Sequence, residues 1–357
     1  MGEDAFLGDL PEELRPYAAR VSFESTVSRR LVHRDFIDHV LLTDVLRLDE
    51  GRFLCGARLP QSHGYFNDGG GPNLYSGILL SAEMGRQAGI AISHQFLGVS
   101  TSLCYILRGL SCTLERPRLS RVTGSQKANV LMEIRLRDCS YRRTGELMGL
   151  VMECVSYLAG ERVQHAAGEW IFVPRKIYEK LRRQAPEGRV RSSPLLRPQR
   201  IEPSVVGRNR LENTVISSLR ECAGGTVEAD LIVDTDHPYF FEHPLDHVSG
   251  MLLLEGCNQA GTALAGSRRG WAPREIVCRD FEARFHQFAE LESPVKLEAR
   301  LATAGRAPGG SNSLALSVEA KQEGCLLAEL SMEMVTAAAF ETAAAVDEVR
   351  VAAGGRW

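Results

Sequence analysis

The chain has 357 residues, of which 44% are hydrophobic and 24% are charged, and its formal net charge at pH 7 is −3. This length exceeds what one hydrophobic core usually supports, so two domains are expected, and the composition excludes a disordered or fibrous protein. A near-neutral charge without a basic patch interleaved with aromatic residues argues against a nucleic-acid partner.

The first 27 residues are interpreted as an N-terminal extension. They are acidic at the start and lack the basic and apolar segments of a signal peptide. No apolar run of 18 residues occurs, so no membrane span is expected. The nine cysteines form no Cys-x-x-Cys pair, which is typical of reduced thiols in a cytoplasmic protein and argues against a disulfide framework or a zinc knuckle.

Residues 28–185 are predicted to form the first domain. A strand at 53–59 precedes His63-Gly64-Tyr65-Phe66, and the apolar-rich stretch 77–97 has the length and the Ala, Leu and Met content of a helix. The glycines at 69–71 are predicted to form a flexible flap, since no Lys-Ser or Lys-Thr of a phosphate-binding loop follows them. Alternating segments predict antiparallel strands at 102–116, 128–139, 145–158 and 166–173.

A stretch rich in Pro, Ser and Arg, 186–205, is predicted to be a linker, and 206–340 a second domain. This domain repeats the order of the first, with a strand at 227–233, then His237-Pro238-Tyr239-Phe240, then a helix. The remaining predictions are the helix at 250–266, strands at 276–287, 293–302, 313–322 and 325–337, a hairpin connection at 305–313 and a C-terminal tail at 341–357.

One motif occurs in both halves. Glu-x-x-x-Gln-Ala-Gly begins at Glu83 and again at Glu255, which follow His63 and His237 by 20 and 18 residues. Each half therefore reads as a strand, one long helix and a strand meander, which is the α+β hotdog arrangement. Two copies predict a tandem double hotdog, an intramolecular pseudo-dimer whose acyl-thioester tunnel lies between the two helices.

Several segments resemble the A-factor biosynthesis hotdog family, the γ-butyrolactone synthases, over roughly residues 28–340. They are Leu-Val-His-Arg at 31–34, Val-Leu-Leu-Thr-Asp at 40–44, Glu-Met-Gly-Arg-Gln at 83–87 and Glu-His-Pro-Leu-Asp-His-Val-Ser-Gly-Met at 242–251. The resemblance implies an acyltransferase without a cofactor. Its substrates would be a β-ketoacyl thioester, carried by acyl carrier protein or CoA, and the hydroxyl of dihydroxyacetone phosphate or a related acceptor, giving a precursor of a γ-butyrolactone-type signal.

Catalysis by a carboxylate is chemically plausible here. A hydroxyl that attacks a thioester needs a base, and burial of Glu83 on an apolar helix is expected to raise its pKa into a useful range. Glu255 is the equivalent candidate in the second half. Arg86, one turn beyond Glu83, is expected to bind a phosphate, and backbone N–H groups at 76–79 and 249–252 to stabilise the oxyanion.

The histidines leave more than one role open. His63 and His237 are equally compatible with a hydrogen-bonded hinge and with catalysis. His243 is a candidate acid or base, because residues 240–243 with Glu255 and Gln259 resemble the β-hydroxyacyl-carrier-protein dehydratases. A metal site at 243–247 is not expected, since no further ligands complete it. The residues expected to contact substrate are Arg86, Gln87, His63, His237, Asn258, Gln259 and Gly250.

Other functions remain open. Asn258 stands where the resembled family has an arginine, so an uncharged acceptor remains an alternative. A dehydratase or a thioesterase of the same fold is the main competing hypothesis, and a non-catalytic acyl- or lactone-binding protein is another. The sequence also leaves open which half-site is active and whether two chains pair further.

Overall fold

A computed structural model describes residues 10–69, 77–117, 128–183, 199–222, 225–302 and 312–344. Most of the predicted flap, linker, hairpin connection and C-terminal tail therefore lies outside the described residues. The helices of the first half are α1 (Arg15–Ala18), α2 (Gly77–Phe96) and α3 (Arg175–Arg183). Its strands are β1 (Leu42–Arg47), β2 (Arg52–Arg58), β3 (Leu103–Leu114), β4 (Asn129–Tyr141), β5 (Leu147–Leu158) and β6 (Glu161–Pro174).

The second half repeats this order around one long helix. Its strands and helix are β7 (Arg220–Glu221), β8 (Val227–Asp230), α4 (Gly250–Arg269), β9 (Ile276–Phe285), β10 (Lys296–Leu301), β11 (Ser313–Gln322) and β12 (Cys325–Thr336). Helix α4 begins where the Oγ atom of Ser249 accepts the backbone N–H of Leu252, and it ends at Gly270 in the left-handed conformation.

The strands form one antiparallel sheet in the order β1-β2-β4-β5-β6-β3-β9-β12-β11-β10-β8-β7. The two halves meet where β3 pairs with β9, with Gly109 opposite Arg284 and Thr113 opposite Asp280. The hydroxyl of Thr113 also donates to the Asp280 carboxylate at 2.6 Å. The strand order reads the same outward from this seam in both directions, so the halves are arranged as the two members of a pair.

Helices α2 and α4 lie in the core. Both are buried over most of their length, and each has one buried glutamate and one buried glutamine among its apolar side chains. The glycine that closes the repeated motif has a packing role, because a Cβ atom on Gly89 would lie 2.6 Å from Met152 and one on Gly261 would lie 2.9 Å from Met332. Glycine at these positions lets the helices approach the sheet closely.

The N-terminal residues contribute to a second, smaller core. Leu10, Leu14 and Val21 pack with Leu54, Leu131 and Tyr157 in a cluster separate from the main one. Leu54 lies on β2, whose neighbour Phe53 faces the main core, so the two clusters occupy opposite faces of this part of the sheet. The segment before the first predicted domain thus covers apolar surface of that domain.

Several elements were not predicted from the sequence, including the short α1 and β7 and the longer β1 and α3. Strand β1 extends the sheet beside β2, and α3 follows directly after Pro174 at the end of β6. Five of the nine residues of α3 are lysine or arginine, and no helix or strand was predicted for this end of the first domain. Of the helices that the structure describes, none has both the length and the apolar composition that crossing a bilayer requires.

Candidate active site between the two halves

Glu83 lies on α2 at the centre of a buried cluster of charges. Its two carboxylate oxygens accept from Arg34 at 3.0 and 2.8 Å and from Arg86 at 2.8 and 2.9 Å. Gln87, one turn along the same helix, donates to Oε1 at 2.6 Å. The side chain of Glu83 is fully buried, whereas that of Arg86 remains 21% exposed. Both carboxylate oxygens of Glu83 are therefore occupied by donors.

The predicted rise in the pKa of Glu83 is wrong, because the pKa is lowered. Burial alone would raise it, but the charges and hydrogen bonds of Arg34 and Arg86 outweigh desolvation and lower the pKa of this carboxyl to about 2. Glu83 therefore stays ionised near neutral pH and serves as the anchor of two guanidinium groups. A carboxylate held in this way is a poor proton acceptor.

Gln87 ties the helix to the loop before β1. Its amide oxygen accepts the backbone N–H of Leu41 at 2.8 Å, and its amide nitrogen donates to the carbonyl of His39 at 2.8 Å. Gln259 makes the equivalent bonds to the N–H of Val215 and the carbonyl of Asn213, both at 2.8 Å. Both side-chain amides are therefore already engaged by the protein backbone, although both residues were predicted to contact substrate.

The second half of the chain completes this cluster. Glu242 accepts from Arg34 Nη1 at 2.7 Å and contacts His39 Nδ1 at 2.7 Å. Although burial raises the pKa of Glu242, hydrogen bonds from His39 and Arg34 outweigh this effect and lower it. We call Arg34, Glu83, Arg86 and Glu242 the first half-site. It contains two carboxylates and two guanidinium groups, so its formal charge is balanced.

The first half-site opens into a cavity of about 960 Å³ that both halves line. His33, Arg34 and Arg86 face it from the first half, and Glu242, His243 and Gly250 face it from the second. Apolar side chains form much of the remaining wall, including Ile90, Leu107, Trp170, Met251 and Phe285. A cavity that has apolar walls and includes the partly exposed guanidinium group of Arg86 suits a ligand that combines an acyl chain with a polar or anionic group.

His243 is the least constrained histidine of this wall. Its side chain is 39% exposed, and its Nδ1 atom lies 3.8 Å from Glu242 Oε1, too far for a hydrogen bond. This atom has no hydrogen-bond partner among the described residues. His243 was expected to act together with Glu255, but Glu255 is buried beside Arg208 away from this cavity. The structure therefore separates these two residues and brings His243 to the first half-site.

His33 forms a chain of polar contacts behind the same wall. Its Nε2 atom lies 2.8 Å from His94 Nε2, and His94 Nδ1 donates to the carbonyl of Val99 at 2.7 Å. Burial and the charge of Arg86 lower the pKa of His33 to about 4, so this imidazole is neutral at neutral pH. The backbone of His33 has a φ of 54°, a left-handed conformation that residues other than glycine rarely adopt.

A second half-site lies around α4 and consists of Glu255, Arg208, Asn258 and Asp68. Arg208 donates to Glu255 at 2.5 Å, and Gln259 donates to the same oxygen at 2.6 Å. Asn258 reaches Glu255 at only 3.4 Å, and Asp68 is held by Asn213 at 2.7 Å. Only Glu255 pairs with Arg208 among the contacts of these four residues, which carry two negative charges and one positive charge and so a net formal charge of −1.

Two stacked tyrosines lie between the half-sites. The rings of Tyr65 and Tyr239 are 4.6 Å apart and within 5° of parallel. Arg34 lies over the ring of Tyr239 at 5.1 Å, and Arg208 lies over that of Tyr65 at 4.6 Å. Each arginine thus contacts an aromatic side chain from the opposite half, which packs the two clusters against each other.

His63 and His237 hold the turns that carry these tyrosines. The Nδ1 atom of His63 accepts the backbone N–H groups of Tyr65 and Phe66 at 3.1 and 3.2 Å. His237 does the same for Tyr239 and Phe240 at 3.1 and 3.3 Å. Burial is the main reason why the pKa of each histidine falls to about 4. The geometry supports the hinge interpretation, and neither side chain lines the cavity.

Sequence reasoning missed the partners of the two glutamates. Residues 31–34 and 205–208 read Leu-Val-His-Arg and Val-Val-Gly-Arg, so the repeat extends upstream of the motif that was recognised. His33 and Gly207 occupy equivalent positions, and both have positive φ values, 54° and 71°. Aligning these segments would have identified Arg34 and Arg208 as a pair. Glu242 and Asp68 lie in opposite halves from the arginine or backbone groups they contact, so only the fold reveals them.

Two buried helices on one antiparallel sheet, with a cavity lined from both sides of the seam, define a tandem hotdog protein with a site for an acyl-sized ligand. The sequence model of the A-factor biosynthesis hotdog domain matches residues 18–167 and 191–338. The chain therefore belongs to the A-factor biosynthesis hotdog family, and both the predicted family and the predicted tandem fold are confirmed.

Similar proteins include enzymes of known name. The chain is 32% identical to a 2-oxo-3-(phosphooxy)propyl 3-oxoalkanoate synthase of Streptomyces virginiae, over 77% of this chain and 87% of that protein. It is 30% identical to the Streptomyces griseus protein of the same name, over 75% and 83%. Among solved structures, a putative oleoyl thioesterase of Lactobacillus plantarum matches with a TM-score of 0.50 at 11% identity, covering 81% of this chain and 98% of that one, which supports the fold alone.

Proposed function

We propose that this protein transfers the acyl group of a β-ketoacyl thioester to the hydroxyl of dihydroxyacetone phosphate or a closely related acceptor. Its product would be the ester for which its relatives are named, a 2-oxo-3-(phosphooxy)propyl 3-oxoalkanoate. The observation that carries the proposal is the cavity of about 960 Å³, because it joins apolar walls to Arg86 of one half and His243 of the other.

The first half-site is the better candidate for a phosphorylated acceptor. Arg86 lines the cavity, and its Nη1 atom makes no hydrogen bond within the described part of the chain. A guanidinium group binds phosphate through directed, charge-assisted hydrogen bonds. The second half-site has Asn258 at the equivalent position and carries a net formal charge of −1, so it would repel a phosphate. This difference favours a charged acceptor at the first half-site despite Asn258 in the second.

His243 is the proposed general base in place of Glu83. It would take the proton of the acceptor hydroxyl as that oxygen attacks the thioester carbonyl, and would return a proton to the departing sulfur as the carbon–sulfur bond breaks. One ester and one free thiol result, and no other reactant is needed. Gly250 and Met251 line the cavity at the start of α4, and their backbone N–H groups, which lie in the first turn of the helix, are the proposed donors to the oxyanion.

Mass spectrometry of the reaction products tests this proposal. We expect the purified protein, a β-ketoacyl pantetheine thioester and dihydroxyacetone phosphate to give the ester and free thiol. His243→Gln should slow ester formation by about 100-fold or more, the usual range for loss of a general base. Asn258→Ala, a substitution in the second half-site at the position equivalent to Arg86, serves as the control and should retain activity.

The competing functions give different results in the same assay. Thiol release that does not require the acceptor would indicate a thioesterase. Conversion of a β-hydroxyacyl thioester with loss of water would indicate a dehydratase. A thioester that stays bound and unchanged would indicate a binding protein. Unphosphorylated dihydroxyacetone, used as well as the phosphate ester, would contradict the role given to Arg86.

A further inference from the structure

Helix α3 lies at the rim of the cavity and is fixed to the second half by its inner face. Tyr178 donates to Asp246 at 2.7 Å, and Arg182 donates to Glu290 at 2.7 and 2.6 Å. Arg182 also lies over the ring of Phe288 at 5.1 Å. The helix therefore crosses from the end of β6 to the opposite half, and Arg175, Tyr178 and Leu181 contribute to the cavity wall.

The outer face of α3 is apolar with a basic margin. Ile177 and Leu181, one turn apart, are 45% and 42% exposed. Lys176 and Lys180 are exposed beside them, and no carboxylate pairs with either lysine in the described part of the chain. These four residues form what we call the rim surface. Two of the five lysines of a chain with a net charge of −3 are thus gathered at one place.

The equivalent position in the second half has no such surface. Residues 337–344, which follow β12 as α3 follows β6, are also helical, but their sequence is Ala-Ala-Ala-Phe-Glu-Thr-Ala-Ala. Ala337 and Phe340 of this segment are buried in the core. The basic margin therefore occurs beside the cavity of the first half-site and is absent from its repeat, so it is not a general property of the fold.

We propose that the rim surface docks a small acidic carrier protein that delivers the acyl thioester on a flexible phosphopantetheine arm. This inference rests on the proposed function and decides between the two carriers of the thioester. Unpaired lysines complement an acidic protein surface, and the exposed Ile177 and Leu181 supply the apolar contact that a protein partner buries. Because Leu181 belongs both to the rim surface and to the cavity wall, a carrier docked here has its arm beside the opening.

The chemistry of the rim surface favours a protein over CoA. The nucleotide of CoA is anionic, so the lysines alone would suit either carrier. A nucleotide phosphate, however, makes no use of two aliphatic side chains spaced one helical turn apart on an exposed face. A helix of a carrier protein can bury both of them while its carboxylates meet Lys176 and Lys180.

Charge reversal on the rim surface tests the inference. The rim variant carries Lys176→Glu and Lys180→Glu. The control variant carries Lys296→Glu, on β10, and Arg274→Glu, before β9, and so makes the same change of charge at two other exposed positions. We expect the rim variant to raise the KM for an acyl carrier protein thioester by about tenfold or more at low salt, and the difference to shrink at high salt. The kcat and the KM for the matching pantetheine thioester should not change.

Direct binding of the acidic carrier protein, measured by calorimetry without the acceptor, separates this inference from the proposed function. Weaker carrier binding by the rim variant, with unchanged binding by the control, supports the docking surface even if no ester forms. Equal carrier binding by wild type and rim variant overturns it. The inference is also overturned if the rim variant has a higher KM for acyl-CoA but not for the carrier protein thioester. An equal rise in KM for the carrier protein thioester, the pantetheine thioester and acyl-CoA overturns it as well.

Discussion

The two half-sites share their buried framework and differ at the groups that face a ligand. Both place a glutamate and a glutamine one turn apart on a buried helix, and both pair the glutamate with an arginine from the segment before the first strand. Only the first has Arg86, His33 and His243 facing a cavity, whereas Asn258 and Gly207 stand at the positions equivalent to Arg86 and His33. The shared part supports the fold, and the part that differs carries the proposed chemistry.

Removing either glutamate charge should have the largest effect on stability. Glu83→Gln removes a carboxylate that Arg34 and Arg86 share, although Arg34 keeps Glu242 as a partner, and Glu255→Gln removes the carboxylate that pairs with Arg208. Breaking a buried ion pair costs about 3–5 kcal/mol, so we expect Glu83→Gln to lie at the upper end and Glu255→Gln at the lower end. Urea unfolding at neutral pH measures both. A larger loss for Glu255→Gln would contradict the difference drawn between the half-sites.

Acid should weaken the contacts of Glu83 with Arg34 and Arg86 in a defined pH range. The folded pKa of Glu83, about 2, lies below its ordinary value of 4.5, so the native state binds fewer protons than the unfolded state between these values. Its stabilising contribution is complete above about pH 4.5 and is lost as the pH falls towards 2. We expect the difference in unfolding free energy between wild type and Glu83→Gln to narrow over this range. A constant difference would show that Glu83 is not held ionised.

Arg86→Asn gives the first half-site the same net formal charge as the second. Hydrogen bonds to charged groups contribute about 1.5–3 kcal/mol, so we expect kcat/KM for the phosphorylated acceptor to fall by roughly 100-fold. The KM for the thioester should change little, because the acyl chain contacts the apolar wall. Steady-state kinetics with each substrate varied in turn measures this. Equal losses for both substrates would remove Arg86 from phosphate binding.

The reverse change, Asn258→Arg, should have the smallest effect. A guanidinium group beside Glu255 offsets the net negative charge of the second half-site, so we expect a change in unfolding free energy of less than about 1 kcal/mol and an unchanged kcat. Thermal unfolding and the ester assay measure the two quantities. A second active site created by this change would show as an increase in kcat and would mean that Asn258 alone keeps the second half-site inactive.

The sequence predicts the framework well because the framework is repetitive. The helix predicted at 77–97 is found at Gly77–Phe96, and strands predicted at 313–322 and 325–337 are found at Ser313–Gln322 and Cys325–Thr336. Apolar residues that alternate over ten or more positions indicate a strand, and a motif that is present twice indicates that both halves have the same order of elements. Helix α3 was missed because it is short and five of its nine residues are lysine or arginine, so its few apolar residues, Ile177, Tyr178 and Leu181, do not form an apolar-rich stretch like those of α2 and α4.

The site itself was predicted only in part. The proximity of Glu83, Arg86 and Gln87 follows from helical spacing, and the contacts agree. The pKa of Glu83 depends on Arg34, 49 residues away, and the setting of His243 depends on the arrangement of the two halves. Local patterns indicate which groups share an element, whereas the charge balance of a buried cluster depends on groups that the chain brings together only after folding.

The two halves that meet between β3 and β9 belong to one chain, so each half-site can change in sequence independently of the other. In a symmetric dimer of identical chains, every substitution appears at both active sites, so a group lost from one is lost from the other. Because this protein joins both members in one polypeptide, asparagine can replace arginine at position 258 while Arg86 remains. Covalent fusion thus removes the constraint of symmetry, and it allows one member of the pair to specialise while the other continues to hold the shared sheet together.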